Sequence, residues 1–181
     1  GPLLLGNSLP VRMMDMVGVE GSTVSEHSLS QVFTNRGASG IDGLIATAAG
    51  VATARPDRCT TLLLGDTSAL HDLNSLALLG KLTSPFVLLL LNNDGGAIFS
   101  LLPGAAALPQ LDDFFRLPHG LDFAHAAAQF GLNYRAPRDL AQLDEAYARA
   151  SQGGVTLIEC RLPADDAASV LKALAGHCQG L

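Results

Sequence analysis

Short apolar runs alternate along the chain with longer segments in which apolar residues recur every three or four positions. The short runs contain few polar residues, which indicates strands that are buried on both faces, and the longer segments have helical spacing. The pattern predicts strands at residues 3–5, 31–34, 60–64, 86–91 and 155–160. It predicts helices at residues 9–17, 41–54, 68–79, 123–130, 140–150 and 167–174.

This alternation predicts an α/β fold with an open, mostly parallel sheet and helices on both faces. The chain has 181 residues, 48% of them hydrophobic, so residues 1–181 are expected to form a single domain. Residues 95–118 break the alternation, with two consecutive glycines and three prolines. An irregular segment of this length inside a compact domain is more often functional than not.

Charge and cysteine content narrow the possible functions. Eleven Lys and Arg face seventeen Asp and Glu, and no basic run stands out, which argues against a nucleic-acid partner. The longest strongly apolar run, at 86–91, is far shorter than the roughly 20 residues that span a bilayer. The three cysteines are widely spaced and form no CxxC pair, as is usual in a reducing compartment. We therefore expect a cytoplasmic protein with small-molecule ligands.

Polar side chains follow two of the predicted strands. Asp66 comes soon after the strand at 60–64, and Asn92 and Asn93 follow the strand at 86–91. Because the carboxyl ends of parallel strands meet at one edge of a sheet, these side chains are expected to converge there. Carboxylate and amide oxygens are the ligands that Mg²⁺ prefers, so the pattern predicts a magnesium site.

The residues after this first strand also open the next predicted helix. Free N–H groups at a helix start favour an anion, so Gly65, Asp66, Thr67 and Ser68 together suit a magnesium-bound phosphate or diphosphate. Each polar motif taken alone is better explained as a turn or a helix cap, but the pair, separated by one strand-helix-strand unit, favours a site. The sequence contains neither a P-loop motif nor a G-x-G-x-x-G after a strand.

The pair GD at 65–66 and NN at 92–93 resembles the cofactor signature of thiamine diphosphate enzymes of the acetolactate synthase type. In that family the Asp, the second Asn and a backbone carbonyl two residues later hold the metal against the cofactor diphosphate. The resemblance implies that Asp66, Asn93 and Gly95 bind the metal. It also implies thiamine diphosphate and Mg²⁺, or Mn²⁺ in its place, as cofactors.

Longer motifs carry a narrower resemblance. They are GNSLPVR at 6–12, FTNRGASGIDG at 33–43, GDTSALHDLNSLALL at 65–79, NNDGGAIFSLLP at 92–103 and FAHAAAQFGL at 123–132. Together they resemble the carboxyl-terminal domain of the 2-succinyl-5-enolpyruvyl-6-hydroxy-3-cyclohexene-1-carboxylate synthases of menaquinone biosynthesis. This implies a transferase that decarboxylates 2-oxoglutarate and adds the resulting succinyl carbanion to isochorismate. Residues 103–118 match that family poorly.

The same resemblance implies roles for individual residues. Ile41 would lie beneath the cofactor, and the Ser39 carbonyl would receive its amino group; periodicity alone makes Ile41 the first core residue of a helix. Arg12 and Arg36 would bind substrate carboxylates, although either arginine is also explained as a surface ion-pair partner. The implied cofactor-binding residues are Ser39, Ile41, Gly65, Asp66, Thr67, Ser68, Asn93, Gly95 and Ile98, and the implied substrate-binding residues are Ser8, Arg12, Arg36, Phe99 and Leu102.

One catalytic group is expected to be missing. Enzymes of this family use an activating glutamate from a separate domain of another subunit, and Glu20, Glu26, Glu145 and Glu159 match no such motif. We therefore expect the chain to be the C-terminal part of a larger homo-oligomeric enzyme, inactive without its remaining domains and a second subunit. The histidines and cysteines show no metal-ligand spacing and are assigned no role.

Two other interpretations stay open on the sequence. The chain could belong to another thiamine diphosphate enzyme, such as an acetolactate synthase or a 2-oxoacid decarboxylase. It could also be a non-catalytic phosphate-binding α/β module, in which Asp66 only caps a helix. The two arginines favour dicarboxylate substrates, and the Gly-rich loop beside the strand ends weakens a purely structural role.

Overall fold

The computed structural model describes residues 1–17, 31–102, 104, 107–164, 170, 171, 173 and 176. The strands are β1 (Leu3–Leu5), β2 (Val32–Thr34), β3 (Thr60–Gly65), β4 (Phe86–Asn92), β5 (Asn133–Arg135) and β6 (Val155–Arg161). The α-helices are α1 (Leu9–Val17), α2 (Leu44–Ala54), α3 (Asp66–His71), α4 (Leu76–Leu79), α5 (Ala124–Gln129) and α6 (Leu140–Ala150). Short 3-10 segments occupy Leu73–Ser75 and Ala97–Leu101, and a π-helical turn occupies Asp112–Arg116.

The six strands form one sheet in the order β2-β1-β3-β4-β6-β5, and every pair of neighbours is parallel. The predicted α/β class with a parallel sheet is thus confirmed. The chain leaves β1 in one direction to β2 and then returns to the other side of β1 as β3. Such a change of direction opens a crevice at the carboxyl ends of the strands, where ligands bind in open α/β sheets.

Apolar side chains cover both faces of the sheet, as continuous apolar strands require. On β4, Leu88 and Leu90 belong to the larger core cluster, which α2 and α4 also enter. Val87, on the opposite face of the same strand, packs in a smaller cluster with Ile158 and Ala150. Among the described residues, no helix combines the length and the apolar character needed to cross a membrane.

Two predicted helices differ from the observed ones. Helix α2 begins at Leu44 rather than at residue 41, because Gly43 has a left-handed backbone (φ 69°) that ends the preceding turn. Ile41 therefore precedes the helix. The helix predicted at 68–79 is divided into α3, a 3-10 segment and α4, with Asp72 outside helical geometry at the first break (φ −119°).

The remaining differences lie in the second half of the chain. Strand β5 was not predicted, since it has only three residues, two of them exposed and polar, at the edge of the sheet. The segment 95–118, predicted to be irregular, contains the 3-10 and π-helical turns. Most of the helix predicted at 167–174 lies outside the described residues.

Candidate cofactor site

A cavity of about 420 Å³ lies at the carboxyl ends of β1, β3 and β4. The crevice between β1 and β3 is where the strand order reverses, so the fold itself creates this opening. Most of its walls are apolar, and its polar residues come from the strand ends. The lining residues are Ser8, Leu9, Pro10, Met13, Ile41, Gly65, Asp66, Thr67, Ser68, Leu91, Asn93, Gly95, Gly96, Ala97, Ile98, Phe99, Leu162, Pro163, Val170 and Leu171.

Asp66, the first residue of α3, joins the end of β3 to the turn that follows β4. Its side chain is 2% exposed. Oδ1 accepts hydrogen bonds from the backbone N–H (2.6 Å) and the hydroxyl of Thr67. Oδ2 accepts from the backbone N–H groups of Asn93 (3.1 Å) and Gly95 (2.9 Å), in the turn after β4. A helix cap would bond only to N–H groups of its own helix, whereas Oδ2 binds the turn after β4, so the carboxylate is not a simple cap of α3.

The turn after β4 is tightly constrained. Asp94 and Gly95 both have positive φ, 59° and 117°. A Cβ at Gly95 would lie 2.2 Å from the backbone oxygen of Arg116, and the neighbouring N–H of Gly96 donates to that same oxygen at 2.7 Å. Only glycine fits at position 95, because both its backbone angle and the close approach exclude a side chain. The segment around residue 116 therefore packs directly on the turn.

His119 lies against the same turn, and sequence reasoning assigned it no role. Its Nδ1 accepts the N–H of Leu121 at 3.0 Å, so the proton of a neutral ring is on Nε2, which lies 3.3 Å from Asp66 Oδ2. Asp94 Oδ1 lies 3.6 Å from Nδ1 and accepts the N–H groups of His119 and Gly120. The bond from Gly120 is the main cause that lowers the pKa of Asp94.

Both predicted substrate arginines bond to the corner between β1 and α1. The Asn7 side chain is buried and donates to the carbonyls of Asn35 and Gly40, which ties the ends of β1 and β2 together. Arg36 donates to Asn7 Oδ1 at 3.2 Å, and Arg12 donates to the Ser8 carbonyl at 2.7 Å. Ser8 has a left-handed backbone (φ 73°) and lines the cavity, so Arg12 bonds to a cavity residue and Arg36 to the residue before it.

The structure gathers ten of the fourteen sequence-predicted site residues on the cavity wall. Four lie outside it: Ser39, Arg12 and Arg36 are exposed, and Leu102 is 55% exposed. Phe99 packs edge-on against Phe115, with ring centroids 5.7 Å apart, so the irregular segment also supports one side of the cavity. The ten lining residues are Ser8, Ile41, Gly65, Asp66, Thr67, Ser68, Asn93, Gly95, Ile98 and Phe99.

Glu159 is a second buried carboxylate at this edge of the sheet, and the sequence analysis attached no role to it. It lies on β6 and is fully buried. The Tyr134 hydroxyl (2.6 Å) and the Phe123 N–H (3.1 Å) donate to its Oε2. Burial, and then the bond to Glu159, raise the pKa of Tyr134 to about 12, and the same carboxylate raises the pKa of Arg161. The only sign of this residue in the sequence is a single charge within the apolar run VTLIEC.

The polar groups on the cavity wall offer oxygen ligands to a hard cation. Asp66 contributes a carboxylate, and the side-chain amide of Asn93 makes no hydrogen bond to the described residues. Gly95 contributes a backbone carbonyl. Among the described residues no group of three or more His, Cys, Asp or Glu could hold a metal. A site here would thus depend on one carboxylate with neutral oxygens, a set that Mg²⁺ accepts.

Comparison with known proteins agrees with this arrangement. The family described as thiamine pyrophosphate enzyme, C-terminal TPP binding domain, matches residues 21–160. The chain is 54% identical over its whole length to the 2-succinyl-5-enolpyruvyl-6-hydroxy-3-cyclohexene-1-carboxylate synthase of Aeromonas salmonicida, covering 32% of that protein. It is 52% identical to the synthase of the same name from Photobacterium profundum, over 96% of this chain and 29% of the relative. The chain thus spans about a third of the length of these relatives.

Solved structures confirm the fold. Benzoylformate decarboxylase from Polynucleobacter necessarius superimposes with a TM-score of 0.72 over 90% of this chain and 30% of that one, at 17% identity. A putative thiamin diphosphate-dependent enzyme from Mycobacterium smegmatis gives 0.66 over 90% of this chain and 28% of that one, at 22% identity. At these identities the likeness concerns the architecture alone.

Proposed function

This chain belongs to the thiamine pyrophosphate enzymes, as their C-terminal TPP-binding domain, and from that premise we propose that it serves a synthase of menaquinone biosynthesis. The complete protein would decarboxylate 2-oxoglutarate and transfer the succinyl unit to isochorismate. The observation that carries this proposal is the meeting of Asp66 with the Asn93–Gly95 turn beside an apolar cavity, in a chain 54% identical to such a synthase.

The proposed metal ligands are the Asp66 carboxylate, the Asn93 side-chain oxygen and the Gly95 carbonyl, for Mg²⁺ or Mn²⁺ in its place. All three are hard oxygen donors. Hydrogen bonds already join Asp66 to the backbone of both other residues, which brings the three groups to one place. Because the Asn93 amide lines the cavity without a partner among the described residues, its oxygen is available to a ligand.

The remaining cavity residues are proposed to hold thiamine diphosphate. Thr67 and Ser68, with Gly65 before them, would face its diphosphate, since they are small and polar and lie beside Asp66. Ile41 and Ile98 would pack against its rings, because both are aliphatic and line the apolar part of the cavity. Ser39 is proposed to act through its backbone carbonyl alone, which agrees with its exposed position two residues before Ile41.

Substrate binding is proposed for the cavity margin. Arg12 and Arg36 would pair with substrate carboxylates, since both guanidinium groups are tied to the corner that holds Ser8 and both are exposed towards an incoming anion. Phe99 would border the substrate from the opposite wall. The exposed side chain of Leu102 would contribute only when it is covered by another part of the complete protein.

Bound thiamine diphosphate supplies the nucleophilic carbon and the electron sink for decarboxylation. The residues of this chain orient it, bind the metal and shield the reacting carbons from water. The activating glutamate is proposed to come from another domain of a second subunit, and the relatives are long enough to contain such a domain. We therefore propose a multidomain homo-oligomer in the cytoplasm, with this domain inactive alone.

The test is 2-oxoglutarate consumption by the complete protein with thiamine diphosphate and Mg²⁺, measured with and without isochorismate. The proposal expects consumption that depends on isochorismate and is lost in Asp66→Ala and Asp66→Asn. Asp57→Ala is the matched control, because that carboxylate is 74% exposed and, among the described residues, its one ion pair is with the exposed Arg58. Turnover of pyruvate instead of 2-oxoglutarate would overturn the substrate assignment, and full activity of both Asp66 variants would overturn the metal site.

A further inference from the structure

Glu159 is held by donors on every side although it lies in an apolar strand. Besides Tyr134 and Phe123 at Oε2, the Asn92 side chain donates to Oε1 at 2.7 Å, and Arg161 Nε lies 3.3 Å from the same oxygen. A fully buried carboxylate is costly unless such partners compensate for its lost hydration. These bonds lie directly behind the turn after β4, which carries the proposed metal ligands Asn93 and Gly95, and so connect the buried charge to that turn.

The bond from Asn92 fixes the orientation of that amide. Its NH₂ group donates both to Glu159 Oε1 and to the Leu121 carbonyl (2.9 Å), so its Oδ1 must point the other way. There Oδ1 accepts the backbone N–H of Asp94 at 3.2 Å. Without an acceptor at position 159, only the Leu121 carbonyl still holds the NH₂ group, so the amide loses one of the two bonds that keep its Oδ1 against that N–H.

These contacts complete the hydrogen bonding of the turn after β4. Three consecutive N–H groups, those of Asn93, Asp94 and Gly95, are bound in alternation by Asp66, Asn92 and Asp66. The middle bond is the one that depends on Glu159. It fixes the peptide planes of a turn in which Asp94 has an unfavourable positive φ of 59°.

We propose that Glu159 is a positioning residue for the metal: through Asn92 it sets the conformation of the turn that presents the oxygens of Asn93 and Gly95. The inference rests on the proposed function, because it concerns the same metal site. Glu159 itself does not line the cavity and acts only through Asn92. Partners one step behind the ligands commonly change metal affinity 10- to 100-fold.

The variant Glu159→Gln tests this link. One oxygen becomes an NH₂ group, which must face either the donors at Oε2, from Tyr134 and Phe123, or those at Oε1, from Asn92 and Arg161. The Phe123 N–H is fixed by the backbone, so we expect the new NH₂ group to face Asn92, which then keeps only its bond to the Leu121 carbonyl and holds its Oδ1 less firmly against Asp94 N–H. Tyr134→Phe is the matched control, because it removes a donor to the same carboxylate but leaves Asn92 in place.

The measurement is Mn²⁺ affinity of the complete protein with saturating thiamine diphosphate, followed by electron paramagnetic resonance, alongside the melting temperature of each variant. We expect Glu159→Gln to weaken Mn²⁺ binding at least about tenfold. We expect Tyr134→Phe to lower the melting temperature while its Mn²⁺ affinity stays within about twofold of wild type. If Glu159→Gln does not fold, Asn92→Ala cuts the same link from its other end and should give the same loss.

The possible outcomes separate this inference from the proposed function. Wild-type Mn²⁺ affinity in a folded Glu159→Gln or Asn92→Ala protein would overturn the positioning role and leave the metal site standing. Equal losses in Glu159→Gln and Tyr134→Phe would also overturn it, since both would then reflect stability alone. A wild-type protein that binds no Mn²⁺ in the presence of thiamine diphosphate would instead overturn the proposed function itself.

Discussion

Helix α2 begins without a capping side chain of its own, and its first turn depends on a residue 27 positions later. Gly43 precedes the helix and offers no side-chain acceptor. Asp72 Oδ2 instead accepts the N–H groups of Ile45 (2.7 Å) and Ala46 (3.2 Å), while its Oδ1 accepts the Ser75 hydroxyl at 2.5 Å. We expect Asp72→Ala to destabilise the chain strongly, because it removes a negatively charged cap from the positive end of α2.

The size of this effect can be worked out from the three hydrogen bonds that the Asp72 carboxylate accepts. A capping side chain contributes typically about 1 kcal/mol, up to about 2. Here one carboxylate binds two N–H groups of α2, one of them on Ile45, whose side chain is fully buried, and also holds Ser75. We therefore expect Asp72→Ala to cost about 3 kcal/mol of unfolding free energy, or about 6–12 °C in melting temperature for a chain of this size. Asp72→Asn keeps one acceptor but loses the charge, and should cost about 1 kcal/mol.

Urea unfolding of the 181-residue chain, followed by far-ultraviolet circular dichroism, measures both variants. A shift of the midpoint at constant slope reports stability alone. Asp57→Ala is the control, since its exposed ion pair with Arg58 should contribute less than about 0.5 kcal/mol. An unfolding free energy of Asp72→Ala within about 0.5 kcal/mol of wild type would refute this prediction, because the Asp72 carboxylate would then not stabilise α2.

Three further changes probe other parts of the fold. Gly50→Ala should raise the unfolding free energy by about 0.5–1 kcal/mol, since Gly50 is exposed within α2 and an added Cβ meets no atom within 4 Å; a lower urea midpoint would contradict this. Thr60→Val should raise the unfolding free energy by about 1 kcal/mol, because the buried Thr60 hydroxyl has no partner among the described residues. A lower melting temperature for this variant would contradict the prediction. Burial raises the pKa of Tyr134 from 10.0 to about 12, so the folded state binds the phenol proton more tightly than the unfolded state does. The stability that this proton contributes is present below pH 10 and is lost as the pH rises towards 12. The difference in tyrosinate absorbance between wild type and Tyr134→Phe should therefore have its midpoint near pH 12, and a midpoint at 10 would refute the burial argument.

The central strands could be predicted from sequence because burial on both faces leaves a continuous apolar run, as in β3 and β4. The breaks in the helices could not. Asp72 leaves helical geometry where its carboxylate reaches the start of α2, and a contact between residues 27 positions apart has no short-range signature. The edge strand β5 was missed for a related reason, since an exposed strand of three residues carries no apolar pattern.

Some residues of the candidate site could likewise be predicted from sequence, and others could not. Asp66 and Asn93 follow strands directly, so the parallel sheet alone predicts that they meet. His119 reaches Asp66 from a segment that has no regular pattern, and its approach depends on the packing of that segment on the turn. Glu159 was visible in sequence only as a charge within an apolar strand, and apart from Arg161 its partners lie 25 to 67 positions away.

The position of β4 within the sheet explains why the turn after it can be held so firmly. In the strand order, β4 lies between β3 and β6, so both neighbours end beside its carboxyl end. Asp66, which follows β3, binds the first and third N–H groups of the turn, and Glu159 on β6 acts on the second through Asn92. A turn after an edge strand would have a neighbouring strand on one side only. Two buried carboxylates can therefore share the support of this one turn only because it follows an inner strand, and removing either one should disturb the same three peptide groups.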